Sequence, residues 1–403
     1  MSKIWFKVFS LLAVVVFALN AAIPVFASSL ANVYYVSSTS GSDSNPGSKT
    51  QPWKTIQKAV KTVTSGSTIY VGGGTYVIPS GGWSWKNSGT HSQPITLAND
   101  SGEQVIFKDN QVTSNNYPAF RCEVDNNDPS SWQTTNAQYI RILGTDVAPK
   151  TLSDGVVSKK GIVIQGERAE QSSGLDIDGG CSHWEVAGVD FVEVSYGIFS
   201  DQGTSDPDYW YVHNNRVYNY YRESGMQFNG NDNTIENNVI DKVSSELDTP
   251  YGCQTLNLLG HGNEVSGNTF SRLGSTSKCI GLLFEWDYSD ANIIENNTFS
   301  DFAQAIDFEG GDNNIIRSNT MTATGGTQTA TIEISSYDNQ TSWPCDDETN
   351  PQAEDLPFLS SPHNCHSQHN QIYSNTITGF PNIFAMEPIA DTSNVVSNNT
   401  FKP

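Results

Sequence analysis

Eight residues, "NTIENNVI" (Asn233–Ile240), decide the reading of this chain, because the chain writes them again and again. "NEVSGNTF" starts at Asn263, "NIIENNTF" at Asn292, "NIIRSNTM" at Asn314, "NQIYSNTI" at Asn370 and "NVVSNNTF" at Asn394. Two weaker copies precede them, "WEVAGVDF" from Trp184 and "WYVHNNRV" from Trp210. Position three is always Ile or Val, and position eight is always apolar. Position six is Asn in seven of the eight copies: Asn215, Asn238, Asn268, Asn297, Asn319, Asn375 and Asn399. Successive copies lie 22 to 30 residues apart, except for one gap of 56 residues between Asn319 and Asn375. A period in this range means stacked repeats, each able to bury its apolar face only against its neighbours.

The apolar positions are short, alternating and often β-branched, so each repeat is built from strands rather than helices. Another short alternating run precedes each copy, as in "GMQFN", "TLNLL", "GLLFE", "AIDFE" and "TIEIS". One repeat therefore holds two or three short strands, and stacking repeats predicts an all-β, parallel β-helix with a dry interior. The Asn at position six falls at the same bend of every rung. There its amide can bond the amides above and below, and its backbone can take a left-handed conformation.

The ends and the composition bound the setting. Lys3 and Lys7, the apolar run Val8–Leu19 and "VFA" ending at Ala27 read as a secretory signal peptide over residues 1–27. No later run is apolar enough to span a bilayer. Residues 28–403 then form one domain, expected to be secreted and monomeric. The formal charge of −22 becomes −24 without Lys3 and Lys7. So acidic a chain is a poor partner for nucleic acid or anionic membranes, whereas local acids suit Ca²⁺. Six cysteines in an exported chain point to disulfides. Cys253 and Cys279 fall one rung apart at matching positions, Cys345 with Cys365 would close a long loop, and Cys122 with Cys181 remain.

The N-terminal part supplies the early rungs. "YYVSSTSGSDSNPGSKTQPWKTIQKAV" (34–60) predicts a strand, a polar loop and a helix from about Pro52. Trp53, Ile56, Val60 and Val63 share one face of that helix, which can cover the open end of the stack. With "STIYVGGGTY" (67–76), this stretch resembles the N-terminal segment of secreted right-handed β-helix proteins of the pectate-lyase superfamily, polysaccharide lyase family nine among them. The resemblance implies a right-handed β-helix. For function it implies one of several classes: Ca²⁺-dependent lyase, glycoside hydrolase, epimerase or non-catalytic adhesin.

Alternation in the strand before each Asn phrase separates inward from outward residues. One outward column runs Asp176, Phe199, Gln227, Asn257, Leu283, Asp307, Glu333, Ala385. The other runs Asp178, Asp201, Asn229, Leu259, Glu285, Glu309, Ser335, Glu387. Glu285, Asp307, Glu309 and Glu333 thus sit on three consecutive rungs, with rungs about 4.8 Å apart and alternate residues of a strand about 6.6 Å apart. Carboxylates so crowded need a cation, a raised pKa or substrate chemistry to offset their repulsion. Trp286, Tyr288, Tyr337 and Trp343 follow the strands and Tyr221 precedes one, so flat rings flank the patch as they would a sugar. Gln227 and Asn257 join them as candidate substrate contacts. Arg222, Lys242, Arg272 and Lys278 come from the turns before the strands and are expected to form the opposite wall. An irregular stretch, about residues 339–367, adds further acids and His363 and His366. "GHG" (260–262) matches a short polygalacturonase motif, but the aspartates expected before it are absent.

Three functions remain open. A Ca²⁺-assisted lyase would use Glu285, Asp307 and Glu309 as ligands and Lys278 or Arg222 as the base that takes a proton from a uronate. A glycoside hydrolase would use a carboxyl pair: Asp307 with Glu309, Glu285 with Glu309, or Asp307 with Glu333. A glycan binder would use the same groove without turnover. The lyase comes first through the resemblance. The carboxylates taken alone lean toward hydrolysis.

Overall fold

The computed structural model describes residues 32–109, 118–124, 134–135, 137–166, 173–177, 181–200, 207–221, 224–242, 253–272, 279–285, 289–324, 331–334, 367–382, 384–386 and 393–402, with no side-chain description for 122–135 and 385–386. The expected signal peptide, 1–27, lies outside these residues.

Three long parallel sheets carry the chain. Sheet I has 12 strands from Val33–Val36 to Val395–Ser397, and sheet II has 11 from Gly74–Val77 to Thr400–Lys402. Sheet III has 11, its stacked path running from Trp83–Trp85 to Phe384–Met386. From Trp83 onward each rung contributes one strand to each sheet, so the order along the chain is III, I, II, then III of the next rung. This is the expected parallel β-helix. The repeated phrase covers two of the three sides: Thr234–Glu236 is a strand of sheet I and Val239–Lys242 a strand of sheet II.

The side chains at positions three and eight explain the stack. Val186, Val212, Ile235, Val265, Ile294, Ile316 and Ile372 are fully buried in one inward file, and Phe191, Val217, Ile240, Phe270, Phe299, Met321 and Ile377 in another. Sheet III adds Met226, Leu256, Leu282, Ile306 and Ile332, and beside them Phe228, Leu258, Phe284, Phe308 and Ile334. Rings stack from rung to rung, as in Phe284–Phe308 at 4.4 Å and 15°. Each such ring removed from water stabilises the fold by roughly 2–3 kcal/mol. On the Gly281 rung there is no spare room at the start of the sheet III strand: a Cβ on Gly281 would lie 2.4 Å from the Ala305 carbonyl and 2.6 Å from the Phe299 ring.

The position-six asparagines form a continuous ladder. Asn238 Nδ2 donates to Asn268 Oδ1 at 3.0 Å, Asn268 to Asn297 at 3.0 Å and Asn297 to Asn319 at 3.1 Å. The second amide hydrogen goes to a sheet I carbonyl, as from Asn297 Nδ2 to Val265 O at 2.8 Å. From Asn215 to Asn375 the ladder asparagines are buried and their amides hydrogen-bonded, as a dry bend requires. Two features differ from expectation. The left-handed residue is position five, not six: Asn214, Asn237, Asn296, Ser318, Ser374 and Asn398 have φ between 54° and 59°. A second ladder also runs through position one. There Asn263 Nδ2 donates to Asn292 Oδ1 at 3.0 Å, and Asn292 to Asn314 at 3.1 Å.

The helix, α1, spans Ile56–Thr62 and starts later than the expected Pro52. Asp43 Oδ1 accepts from the backbone N–H of Lys54 and of Thr55, at 2.9 and 3.0 Å, and so holds the chain extended there. The helix is capped by the Thr55 hydroxyl, which accepts from Lys58 N–H at 3.1 Å. Trp53, Ile56, Val60 and Val63 are all buried in the core, as their shared face predicts.

Cys253 and Cys279 form the expected disulfide, 26 residues apart with Cα atoms 4.6 Å apart. Cys181 is buried and disulfide-bonded. The side chain of Cys122, and Cys345 and Cys365, lie outside the described residues. Among the described residues no helix is long and apolar enough to cross a membrane.

Candidate active site

The carboxylates lie on the outward face of sheet III, and strand register places them. Asn257 pairs with Leu283, Leu283 with Asp307 and Asp307 with Glu333. Glu285 and Glu309 sit one residue past their strands, where the ladder still holds: Glu285 N–H donates to Leu258 O at 3.0 Å and Glu309 N–H to Phe284 O at 2.9 Å. Neighbouring rungs bring Glu285 and Glu309 about 4.8 Å apart at the backbone.

Local sequence pins both glutamates. The Ser289 hydroxyl shares its hydrogen between Glu285 O at 2.9 Å and Leu258 O at 2.8 Å. After Glu309 the chain turns through Gly310 and Gly311, at φ 158° and 102°. A Cβ on Gly311 would lie 2.5 Å from Ser289 O, so only glycine lets this turn approach Ser289.

The electrostatics single out Glu309. Burial, and then the nearby Glu285 carboxylate, push its carboxyl up to about 7. Glu285 is held by Asn257, whose Nδ2 donates to Glu285 Oε2. Glu333 accepts a hydrogen bond from Gln304 Nε2, one rung back. Asp307 is 9% exposed, between Leu283 and Glu333 in its column.

Asn257 and Gln227, expected to contact substrate, are only 3% and 8% exposed. The Asn257 amide is committed to Glu285, so it orients that carboxylate. Asn257 Oδ1 is buried without a hydrogen-bond partner. Leu259 and Leu283 belong to the outward columns yet are buried, and they form an apolar floor beside the acids. Lys242 and Arg272 do not form a wall of the groove. They are register partners at a corner, 0% and 1% exposed, with the Lys242 ammonium 4.5 Å from the centre of the Tyr220 ring. Tyr221 is partly buried, and its N–H donates to Val194 O at 2.8 Å. His261 of "GHG" is a turn residue whose N–H donates to Asn231 Oδ1 at 3.0 Å. Arg222, Lys278, Trp286, Tyr288, Tyr337 and Trp343 lie outside the described residues, as does the 339–366 stretch.

The donor set fits Ca²⁺ in kind, being carboxylate oxygens with the orphaned Asn257 Oδ1 nearby. Among the described residues, however, no three His, Cys, Asp or Glu side chains converge as a metal-holding group.

Comparison with known proteins agrees with the architecture. Residues 34–183 match the family described as "Pel9A-like, right handed beta helix region", and residues 173–342 match "Right handed beta helix region". Pectate lyase PEL9 of Emericella nidulans is 37% identical over 116 residues, 28% of this chain and 27% of that protein. The uncharacterized protein YwoF of Bacillus subtilis is 33% identical over 84 residues, 21% of this chain and 17% of that protein. The chain thus aligns with about a quarter or less of the length of these relatives. Among solved structures, the alginate lyase from Paenibacillus sp. str. FPU-7 superposes with a TM-score of 0.50 at 14% identity, covering 86% of this chain and 92% of that one. The GH136 lacto-N-biosidase from Eubacterium ramulus gives 0.50 at 12% identity, covering 92% and 68%. The chain is thus a right-handed parallel β-helix, similar over residues 34–183 to the Pel9A-like region and over residues 173–342 to the general right-handed β-helix region.

Proposed function

We infer that the protein is a secreted enzyme that degrades a uronate-containing polysaccharide by β-elimination along the outward face of sheet III. The observation that carries this reading is the Glu309 carboxyl, pushed up to about 7 by burial and Glu285. Such a group keeps its proton near neutrality and can give it up during a reaction. In the elimination a base takes the proton on the carbon beside the uronate carboxylate. The bond from the β-carbon to the glycosidic oxygen breaks, and Glu309 protonates the departing oxygen. Lys278 and Arg222, just before the sheet III strands, are the candidate bases. Glu285, Asp307 and Asn257 Oδ1 are the groups to hold Ca²⁺, which when bound would neutralise the substrate carboxylate. The Pel9A-like N-terminal match supports elimination.

A second reading, hydrolysis, is favoured by the spacing of the acids themselves. Glu309 would again protonate the leaving oxygen. Glu285, about 4.8 Å away across the rungs, approaches the retaining separation of about 5–5.5 Å. Asp307, about 6.6 Å along the strand, approaches the inverting range.

The test is incubation with polygalacturonate, alginate and neutral glycans, with Ca²⁺ or EDTA. Ultraviolet absorbance from unsaturated ends, abolished by EDTA and by Glu309→Gln, is expected. New reducing ends without that absorbance would replace elimination with hydrolysis. Binding without any product would refute an enzyme, and full activity in Glu309→Gln would refute the site.

A further inference from the structure

The outward column that holds Asp307 begins far from it, at the N-terminal end of sheet III. Read toward that end by register, Asp307 is followed by Leu283, Asn257, Gln227, Phe199, Asp176, Arg121 and Ser84. Arg121 and Ser84 form part of the lining of a cavity of about 650 Å³. Its other sides come from α1 with the residues just before it, and from the segment Thr75–Gly82.

The charge of this cavity runs against that of the chain. The protein has 43 Asp and Glu against 21 Lys and Arg. Yet Lys54, Lys61 and Arg121 all line the cavity, and among the described residues none that lines it is acidic. Arg121 is held toward it: its Nε donates to the Ser84 hydroxyl at 3.2 Å. Gly81 borders the guanidinium: a Cβ there would rest 3.5 Å from an Arg121 Nη atom, an ordinary contact. Asp176 is the register neighbour of Arg121 on the next rung, and the two lysines add their charge from a separate element. Hydroxyl and ring groups from Ser84, Thr75 and Tyr76 complete a polar and aromatic lining suited to a sugar that carries an anion.

We propose that this cavity is a remote subsite for a carboxylate-bearing sugar of the same polysaccharide chain whose cleavage is assigned to the carboxylates. The inference rests on the reading of sheet III as a glycan groove. Arg121 and Asp307 are six rungs apart, about 29 Å at 4.8 Å per rung. A pyranose unit of an extended chain is about as long as one rung spacing, so a chain on the order of six units spans that distance, passing outside the buried Leu283, Asn257 and Gln227. One end of the groove then grips the anion, and the other handles protons.

The test is equilibrium binding in EDTA, by calorimetry, with galacturonate oligomers of three and eight units. An eight-unit mannuronate oligomer and a neutral eight-unit glucan complete the set. The wild-type protein should bind an acidic octamer at least tenfold more tightly than the trimer, the worth of one hydrogen bond between charged groups. Arg121→Gln with Lys54→Gln should erase that advantage, and 0.5 M salt should shrink it. Lys54→Gln with Lys61→Gln leaves the Arg121–Ser84 contact intact and should remove most of it, so a folding defect at Arg121 cannot account for the loss. An octamer advantage that survives both double variants overturns the proposal, as does equal affinity for the neutral octamer. Octamer binding that depends on Arg121, by a protein that forms no product, would sink the catalytic reading and leave this subsite standing. Normal turnover with no length-dependent binding would do the reverse.

Discussion

Glu309 gives the sharpest link between sequence, stability and chemistry. Its carboxyl has an ordinary value of 4.5 and is pushed up to about 7, first by burial and then by Glu285. The folded state therefore holds the proton more tightly than the unfolded chain does. Its contribution to stability is whole below pH 4.5 and is lost as pH rises through 7. At 1.36 kcal/mol per unit the full span is about 3 kcal/mol. Between pH 5.5 and 8.5, away from the isoelectric region near 4.5, linkage leaves about 2 kcal/mol of it. Glu309→Gln keeps the shape and removes the titration. Urea unfolding of both proteins in EDTA, at pH 5.5 and 8.5, isolates this group. Asp208 and Asp241, whose carboxyls burial also raises, are common to both and cancel. The variant should gain about 2 kcal/mol on the wild type on going from pH 5.5 to 8.5. A difference between the two proteins that is the same at both pH values would refute the assignment of a buried, proton-holding carboxyl.

Two further outcomes test the scaffold. Asn297→Ala removes the donor to Val265 O and the bridge between Asn268 and Asn319, all of it buried. It should cost about 3–5 kcal/mol in thermal or urea unfolding, because the partners stay buried and unsatisfied. Asn399→Ala, in the last described rung, should cost less than half of that, and equal small losses would contradict a ladder that bears stability. Replacing both Cys253 and Cys279 by Ser opens a link across 26 residues. It should lower stability by about 3 kcal/mol, and a reductant should shift the wild type by no less; an unchanged midpoint would contradict this.

Much of the architecture was legible because a β-helix repeats its constraints. Ile235, Val265, Ile294, Ile316 and Ile372 must all face inward, so the same letter class returns at the same place, and the bend Asn returns with it. Register between rungs followed, and with it the columns that hold Asp307 and Glu333. The misses have physical causes. Lys242 and Arg272 were read as groove cations because charge ordinarily marks surface; at this corner an aromatic face at Tyr220 receives one of them indoors. Asn257 was read as a substrate contact because alternation gives direction, not depth. The position-one ladder is harder to see in the sequence because that Asn opens the repeated phrase, and nothing in the letters marks it as a second bend. The cationic cavity is invisible in the sequence because its charges come from two stretches, residues 54–61 and residue 121, that share no repeat.

The ladder has one consequence for how such a protein changes over time. Asn319 donates to Asn375 at 3.0 Å, within 0.1 Å of every other pair in the ladder, although the two lie 56 residues apart where others lie 22 to 30 apart. The stitching between coils is thus indifferent to how much chain is spent between stitches. Insertions at the margins of sheet III can lengthen, shorten or be exchanged without shifting a single inward side chain. Selection can therefore rewrite what the groove admits while the cylinder beneath it stays as it was.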